Sequence, residues 1–199
     1  VKFLLWSIGG FRIYVCGCSP LAQRLKEAYT LAGERKFDAQ FMQDVYEVPM
    51  EVLDLPLEQC PQANESARPI GGHLEGCRIG FDAGGSDRKV SAVVDGQTVY
   101  SEEVVWHPKT QEDPQYHFDG IVEAFRTAAS KMPRVDAIGV SSAGVFIGNA
   151  PMVSSLFIKV PREKRELVKT IYDRAARELG DVPIVVANDC LLYTSDAAD

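Results

Sequence analysis

The sequence predicts an α/β protein whose main part is a mixed five-stranded sheet covered by helices. Three observations predict it. Two turn signals, Gly84-Gly85-Ser86 and Asp95-Gly96, separate three strand-like runs. Two amphipathic helical runs follow, each leading into a short apolar strand. Hydrophobic residues make up 46% and charged residues 25% of the 199, a balance that excludes wholesale disorder, collagen and a coiled coil.

Taken in order, residues 1–60 read as a small α+β extension. Apolar runs at 3–8 and 11–16 flank Gly9-Gly10 and predict a strand pair. Residues 20–32 predict a helix, with Pro20 in its first turn and Gly33 just past its end. Residues 43–55 alternate loosely and predict extended chain. Residues 61–72 hold two prolines and two glycines among polar residues and mark a linker, so that 1–72 forms an accessory segment and 73–189 the main lobe.

In the main lobe, 77–83, 88–94 and 97–106 predict three strands. Asp113-Pro114 caps and opens a helix whose apolar stripe is Phe118, Ile121, Val122, Phe125, Ala128, Ala129 and Met132, stopped by Pro133. Residues 135–140 predict a buried strand, followed by a glycine-bearing loop. Pro161 opens a second helix carrying Leu167, Val168, Ile171, Tyr172, Ala175 and Leu179 on one face. Residues 183–187 predict a fifth strand ending at Asn188-Asp189. The order is βββαβαβ, with the first three strands antiparallel.

With 21 basic and 28 acidic residues, the net charge is −7, so bulk charge does not favour nucleic acid. No apolar run reaches the ~18–20 residues of a membrane span. Cys16, Cys18, Cys60, Cys77 and Cys190 have no framework spacing, and the lone Cys16-x-Cys18 is a weak zinc signal, which predicts reduced thiols in a reducing, cytoplasmic compartment. His73, His107 and His117 share no ligand spacing and are expected in surface or cap roles. Trp6 and Trp106 are expected to pack, and 162–166 to form a solvated helix face.

Three motifs carry chemistry. Asp82 stands at a strand end before Gly84, Gly85 and Ser86, with Lys89 beyond. Such a turn aims backbone N–H groups at an anion, Ser86 and Lys89 add a donor and a charge, and Asp82 suits Mg²⁺ through water. A plain hairpin would use the same glycines. Residues 138–149, with Gly144, let a ligand approach the backbone, or make a tight strand-to-hairpin turn. Asn188 and Asp189 end the fifth strand, where ligands of open sheets bind and where a carboxylate can take a hydroxyl proton; helix capping there is compatible.

Together these motifs resemble the front lobe of the ROK group (repressors, open reading frames and sugar kinases), within the actin-like, ribonuclease-H-like superfamily. The resemblance covers residues 77–189. The family's D-x-G-G-T appears as Asp82, Gly84, Gly85 and Ser86, with serine for threonine. Its E-N-D appears as Ala187-Asn188-Asp189, without the glutamate, and its Pro-Gly-Pro-Val loop as Ala143-Gly144-Val145. The resemblance implies ATP and Mg²⁺ as cofactors, a sugar as substrate and possible homodimers. It implies Asn188 and Gly144 as sugar-binding residues and Asp189 as catalytic base. A sugar-sensing regulator without turnover, or an ATPase driving a partner protein, would use the same fold; residues 1–76 show no helix-turn-helix pattern. The glycines of Ser7–Phe11 echo the first motif without its aspartate.

Residues 190–199, CLLYTSDAAD, resemble the forward translation of a transposon-based sequencing adapter over all ten positions. They are expected to be a non-native tail on the front part of a longer protein, in which residue 189 is natively Asp or Glu.

Overall fold

The computed structural model describes residues 1–63 and 73–189. Most of the expected linker and all of the expected false tail lie outside the described residues. The chain divides into two compact units, Val1–Pro69 and Ile70–Asp199.

In the first unit, α1 (Lys2–Ile8) leads to β1 (Arg12–Cys16), α2 (Ser19–Ala28), α3 (Lys36–Tyr46) and β2 (Glu51–Leu55). β1 and β2 pair in parallel, Arg12 with Glu51 through Cys16 with Leu55. Leu5, Tyr29 and Met42 form the buried centre, with Ile13, Leu25, Phe41 and Val52 against it. Residues 3–8 are therefore a helix and not half of a strand pair. Gly9 ends that helix at φ +83°, its N–H donating to the Leu5 carbonyl. A glycine in the left-handed region is a helix stop as well as a hairpin signal. The second helix ends at Ala28, short of the expected limit, and 36–46 is helical where extended chain was expected from 43. α3 buries Ala39, Met42 and Val45, spaced three apart on one face. Trp6 stacks on Phe37, with ring centroids 6.1 Å apart, and its Nε1 donates to Asp38 at 2.8 Å.

The second unit is the expected mixed sheet. Its strands are β3 (Cys77–Ala83), β4 (Asp87–Val94), β5 (Gln97–Val105), β6 (Ala137–Ser142) and β9 (Ile184–Asn188), in spatial order β5-β4-β3-β6-β9. β3, β4 and β5 are antiparallel neighbours; β3, β6 and β9 are parallel. Between β6 and β9 the chain adds a small hairpin, β7 (Val145–Ile147) and β8 (Ala150–Val153), in place of a plain loop. Asn149 ties it to the sheet: its Nδ2 donates to Asp173 at 2.8 Å and to the Ile184 carbonyl at 3.1 Å, and its Oδ1 accepts from the Val186 N–H.

Period-two burial along β3 places Cys77, Ile79, Phe81 and Ala83 on the core face. α4 (Pro114–Ala129) and α6 (Ile171–Arg177) pack there, with Phe125 edge-on to Phe81 at 5.4 Å between centroids. Asp113 caps α4 as expected, accepting from the Gln115 N–H at 3.3 Å. The second crossover helix is broken. Arg162–Lys164 forms a 3-10 turn, α5 spans Arg165–Lys169, and α6 begins after Thr170, whose hydroxyl donates back to the Glu166 carbonyl. Pro161 thus precedes a 3-10 turn and not the helix itself.

Candidate functional site

Because β3, β6 and β9 run parallel, their carboxyl ends lie on one edge of the sheet. Register sets the site. Lys89, Asp82, Ser141 and Ala187 form one row across β4, β3, β6 and β9, on the face away from α4 and α6. The next row is Arg88, Ala83, Ser142 and Asn188, on the core face. Strand alternation thus puts Asn188 on the opposite face from Asp82.

The Asp82 carboxyl is half-buried, and its pKa is raised. Burial is the largest cause, and the negative charges of Asp189 and Asp87 push the same way. The charge of Lys89 and the polar Ser141 side chain act in opposition. The charge at the end of β9 therefore bears on the carboxyl at the end of β3. Lys89 Nζ also lies 3.7 Å from Asp87 and 4.0 Å from Glu103, so its charge is shared among carboxylates.

The turn from β3 to β4 is held from behind. Buried Trp106 donates its Nε1–H to the Gly84 carbonyl at 2.8 Å and its backbone N–H to the Ser86 carbonyl at 3.1 Å. Ser86 is exposed and its hydroxyl donates to Asp87 at 3.2 Å. Neither Gly84 nor Gly85 has a left-handed φ. The glycines serve close approach instead: a Cβ on Gly84 would stand 2.5 Å from the Asp87 carbonyl oxygen. Arg88, beside the turn, is buried on the core face, donating to the Gly120 carbonyl and to Glu123. Nothing in the composition of 87–94 distinguishes this arginine from a surface one.

At the other side, Asn188 Nδ2 donates to the Gly144 carbonyl. Gly144, at φ +145°, admits the strand-end chain: a Cβ there would meet the Val153 carbonyl oxygen at 2.6 Å. Ser154 donates to the Ala143 carbonyl at 2.8 Å. Under them, buried Tyr172 donates to Ser142 at 3.3 Å, and burial pushes the Tyr172 phenol up to about 12. The structure thus brings Asp82, Gly84, Gly85, Ser86 and Lys89 together at one end of the row. It sets Asn188 and Gly144 in one hydrogen-bonded unit, with Asp189 next in the chain.

Among the described residues no cluster of three His, Cys, Asp or Glu side chains is placed to hold a metal ion by protein ligands alone. No helix among them is long and apolar enough to cross a membrane. His117 is fully buried, its Nε2 3.0 Å from the carbonyl oxygens of both Pro108 and Leu156. Its place is in the packing behind the turn, against Trp106 and Phe157, and not in the expected surface or cap role.

No protein family's profile matches the chain, and no curated protein matches it. Solved structures do. A glucokinase from Parabacteroides distasonis is 17% identical, over 58% of this chain and 31% of its own, with a TM-score of 0.46. A ROK hexokinase from Thermus thermophilus is 17% identical, over 57% of this chain and 35% of its own, at 0.41. A ROK family transcriptional regulator, homologous to the Escherichia coli MLC protein, is 14% identical, over 59% of this chain and 28% of its own, at 0.44. The chain spans about a third of the length of these structures.

Proposed function

We propose that residues 73–189 are the front lobe of an ATP-dependent sugar kinase of the ROK type, and that the complete protein transfers a phosphoryl group to a sugar hydroxyl. The observation that carries this reading is the half-buried Asp82 carboxyl, which stands at the carboxyl edge of three parallel strands, beside a glycine turn and in the field of Asp189. Sheet edges of this kind bind ligands, and phosphoryl transfer needs little more than positioning and charge stabilisation.

The residues divide the work. Asp189 takes the proton of the attacking hydroxyl. Such assistance is worth about 10²–10⁴-fold, because a neutral hydroxyl is a poor nucleophile. Asn188 holds the Gly144 carbonyl, and the two form the sugar-side wall as a unit. The turn at Gly84, Gly85 and Ser86 receives phosphate oxygens. The residues present fit Mg²⁺ in one respect: Asp82 is a hard oxygen donor whose ionised form is disfavoured by burial and by Asp189 and Asp87, and a divalent cation relieves that cost. When bound, Mg²⁺ neutralises charge on the phosphates; Asp82 would hold it through water.

The test is ATP turnover by the complete open reading frame against a panel of aldoses and N-acetylated amino sugars. Sugar-dependent ADP release supports the reading. ATP hydrolysis that ignores every sugar favours a partner-driving ATPase, and sugar binding without turnover favours a regulator; either result overturns it.

A further inference from the structure

The glycine turn has a second lysine beside it, contributed by a segment more than twenty residues further on. Lys109 lies in the 3-10 turn Pro108–Thr110 that follows β5. A Cβ on Gly85 would stand 2.4 Å from Lys109 Cε and 2.5 Å from Lys109 Nζ. The end of the lysine side chain therefore lies flat across Gly85.

The base of that side chain is fixed. Pro108 is buried and its carbonyl faces His117 Nε2 at 3.0 Å. Two residues before it, Trp106 holds both sides of the glycine turn. Thr110 donates to the His107 carbonyl at 2.9 Å and closes the 3-10 turn. Among the described residues no carboxylate lies within ion-pair distance of Lys109 Nζ, whereas Lys89 is divided among Asp82, Asp87 and Glu103. Lys109 is thus an exposed ammonium on a side chain whose base is fixed by the scaffold and whose charge is not balanced there.

We propose that Lys109 is the phosphate-positioning cation of the Gly84–Ser86 turn, its side chain lying across Gly85. The ligand class, the oxygens of a linear polyphosphate, rests on the kinase reading of the same turn. An ammonium is a compact point charge suited to phosphate oxygens. Gly85 has no left-handed φ, so alanine is sterically admissible to its own backbone and displaces only the flexible end of Lys109.

The experiment titrates inorganic tripolyphosphate with Mg²⁺ into the 199-residue chain by calorimetry. Lys109→Met keeps the stem and removes the charge; it should weaken binding about tenfold, equivalent to about 1.4 kcal/mol. Lys109→Arg should restore most of the affinity. Gly85→Ala, which keeps the charge but moves it, should weaken binding several-fold (about three- to fivefold) at an unchanged melting temperature. Lys109→Met binding as tightly as the unmodified chain overturns the proposal, as does a chain that binds no tripolyphosphate. The two readings fail separately. Lys109-dependent binding by a chain whose complete form phosphorylates no sugar removes the kinase and keeps the site. An unchanged KM for ATP in a fully active Lys109→Met kinase removes the site and keeps the kinase.

Discussion

Replacing Gly84 with alanine tests whether the turn is set by close approach. The added Cβ would stand 2.5 Å from the Asp87 carbonyl oxygen, so the chain must open by about half an ångström to reach even the 3.0 Å that real Cβ atoms respect. The turn cannot open freely, because Trp106 holds Gly84 by its indole N–H and Ser86 by its backbone N–H. Overpacking of this kind costs about 1–3 kcal/mol. Weakening one of the Trp106 hydrogen bonds adds about 0.5–1.5 kcal/mol, for a total of about 1.5–4.5 kcal/mol. Urea unfolding followed by Trp106 fluorescence, with Trp6→Phe in both proteins to silence the first unit, should show a lower midpoint at an unchanged slope. A Gly84→Ala chain within about 0.5 kcal/mol of the parent, the range of a neutral surface change, would refute the close-approach account.

Two further outcomes follow from the same geometry. Asp82 has a folded-state pKa above its unfolded value, so its protonated form favours the fold; that stability is complete below the ordinary carboxylate pKa and is lost as pH rises through the raised one. Asp82→Asn, a permanent mimic of the protonated form, should therefore unfold at higher urea than the parent at pH 7 and lose that advantage on acidification; an advantage that grows as pH falls contradicts the assignment. His117→Ala should destabilise the second unit by about 2–4 kcal/mol, since it opens a cavity beside Trp106 and Phe157 and strips the Pro108 and Leu156 carbonyls of their partner. A loss under 1 kcal/mol by chemical denaturation, the lower edge of what such a deletion costs, would show that water replaces the imidazole at little cost.

The sheet was legible because its signals agree. Alternation in 77–83, the Asp95-Gly96 turn and two amphipathic stripes each specify the same architecture, and β3 has the predicted limits. The first unit was less legible. The run at 3–8 is too short to separate a helix from a strand by periodicity, and Gly9-Gly10 stops either. β1 pairs with a strand that begins nearly forty residues later, a partner that local pattern cannot reveal. The break falls at Thr170, whose hydroxyl turns back to the Glu166 carbonyl, a contact that apolar periodicity does not register.

The candidate site divides in the same way. Motif reading located Asp82, Gly84, Gly85, Ser86, Asn188 and Asp189 on one sheet edge, because strand ends and turns are visible in sequence. It did not reveal that Asn188 faces away from Asp82, which depends on register. It also passed over Lys109 and Arg88, whose roles arise from contacts far along the chain and from burial. Gly84 serves close approach to the Asp87 carbonyl and not a left-handed turn.

The proton-accepting role of Asp189 is the centre of the proposed mechanism, and steady-state kinetics of Asp189→Asn in the complete protein measures it most directly. The account predicts a kcat lower by about 10²–10⁴-fold, since the hydroxyl loses its base, with the KM for sugar changed little because Asn188 and Gly144 remain. An Asp189→Asn enzyme with the kcat of the parent would contradict it.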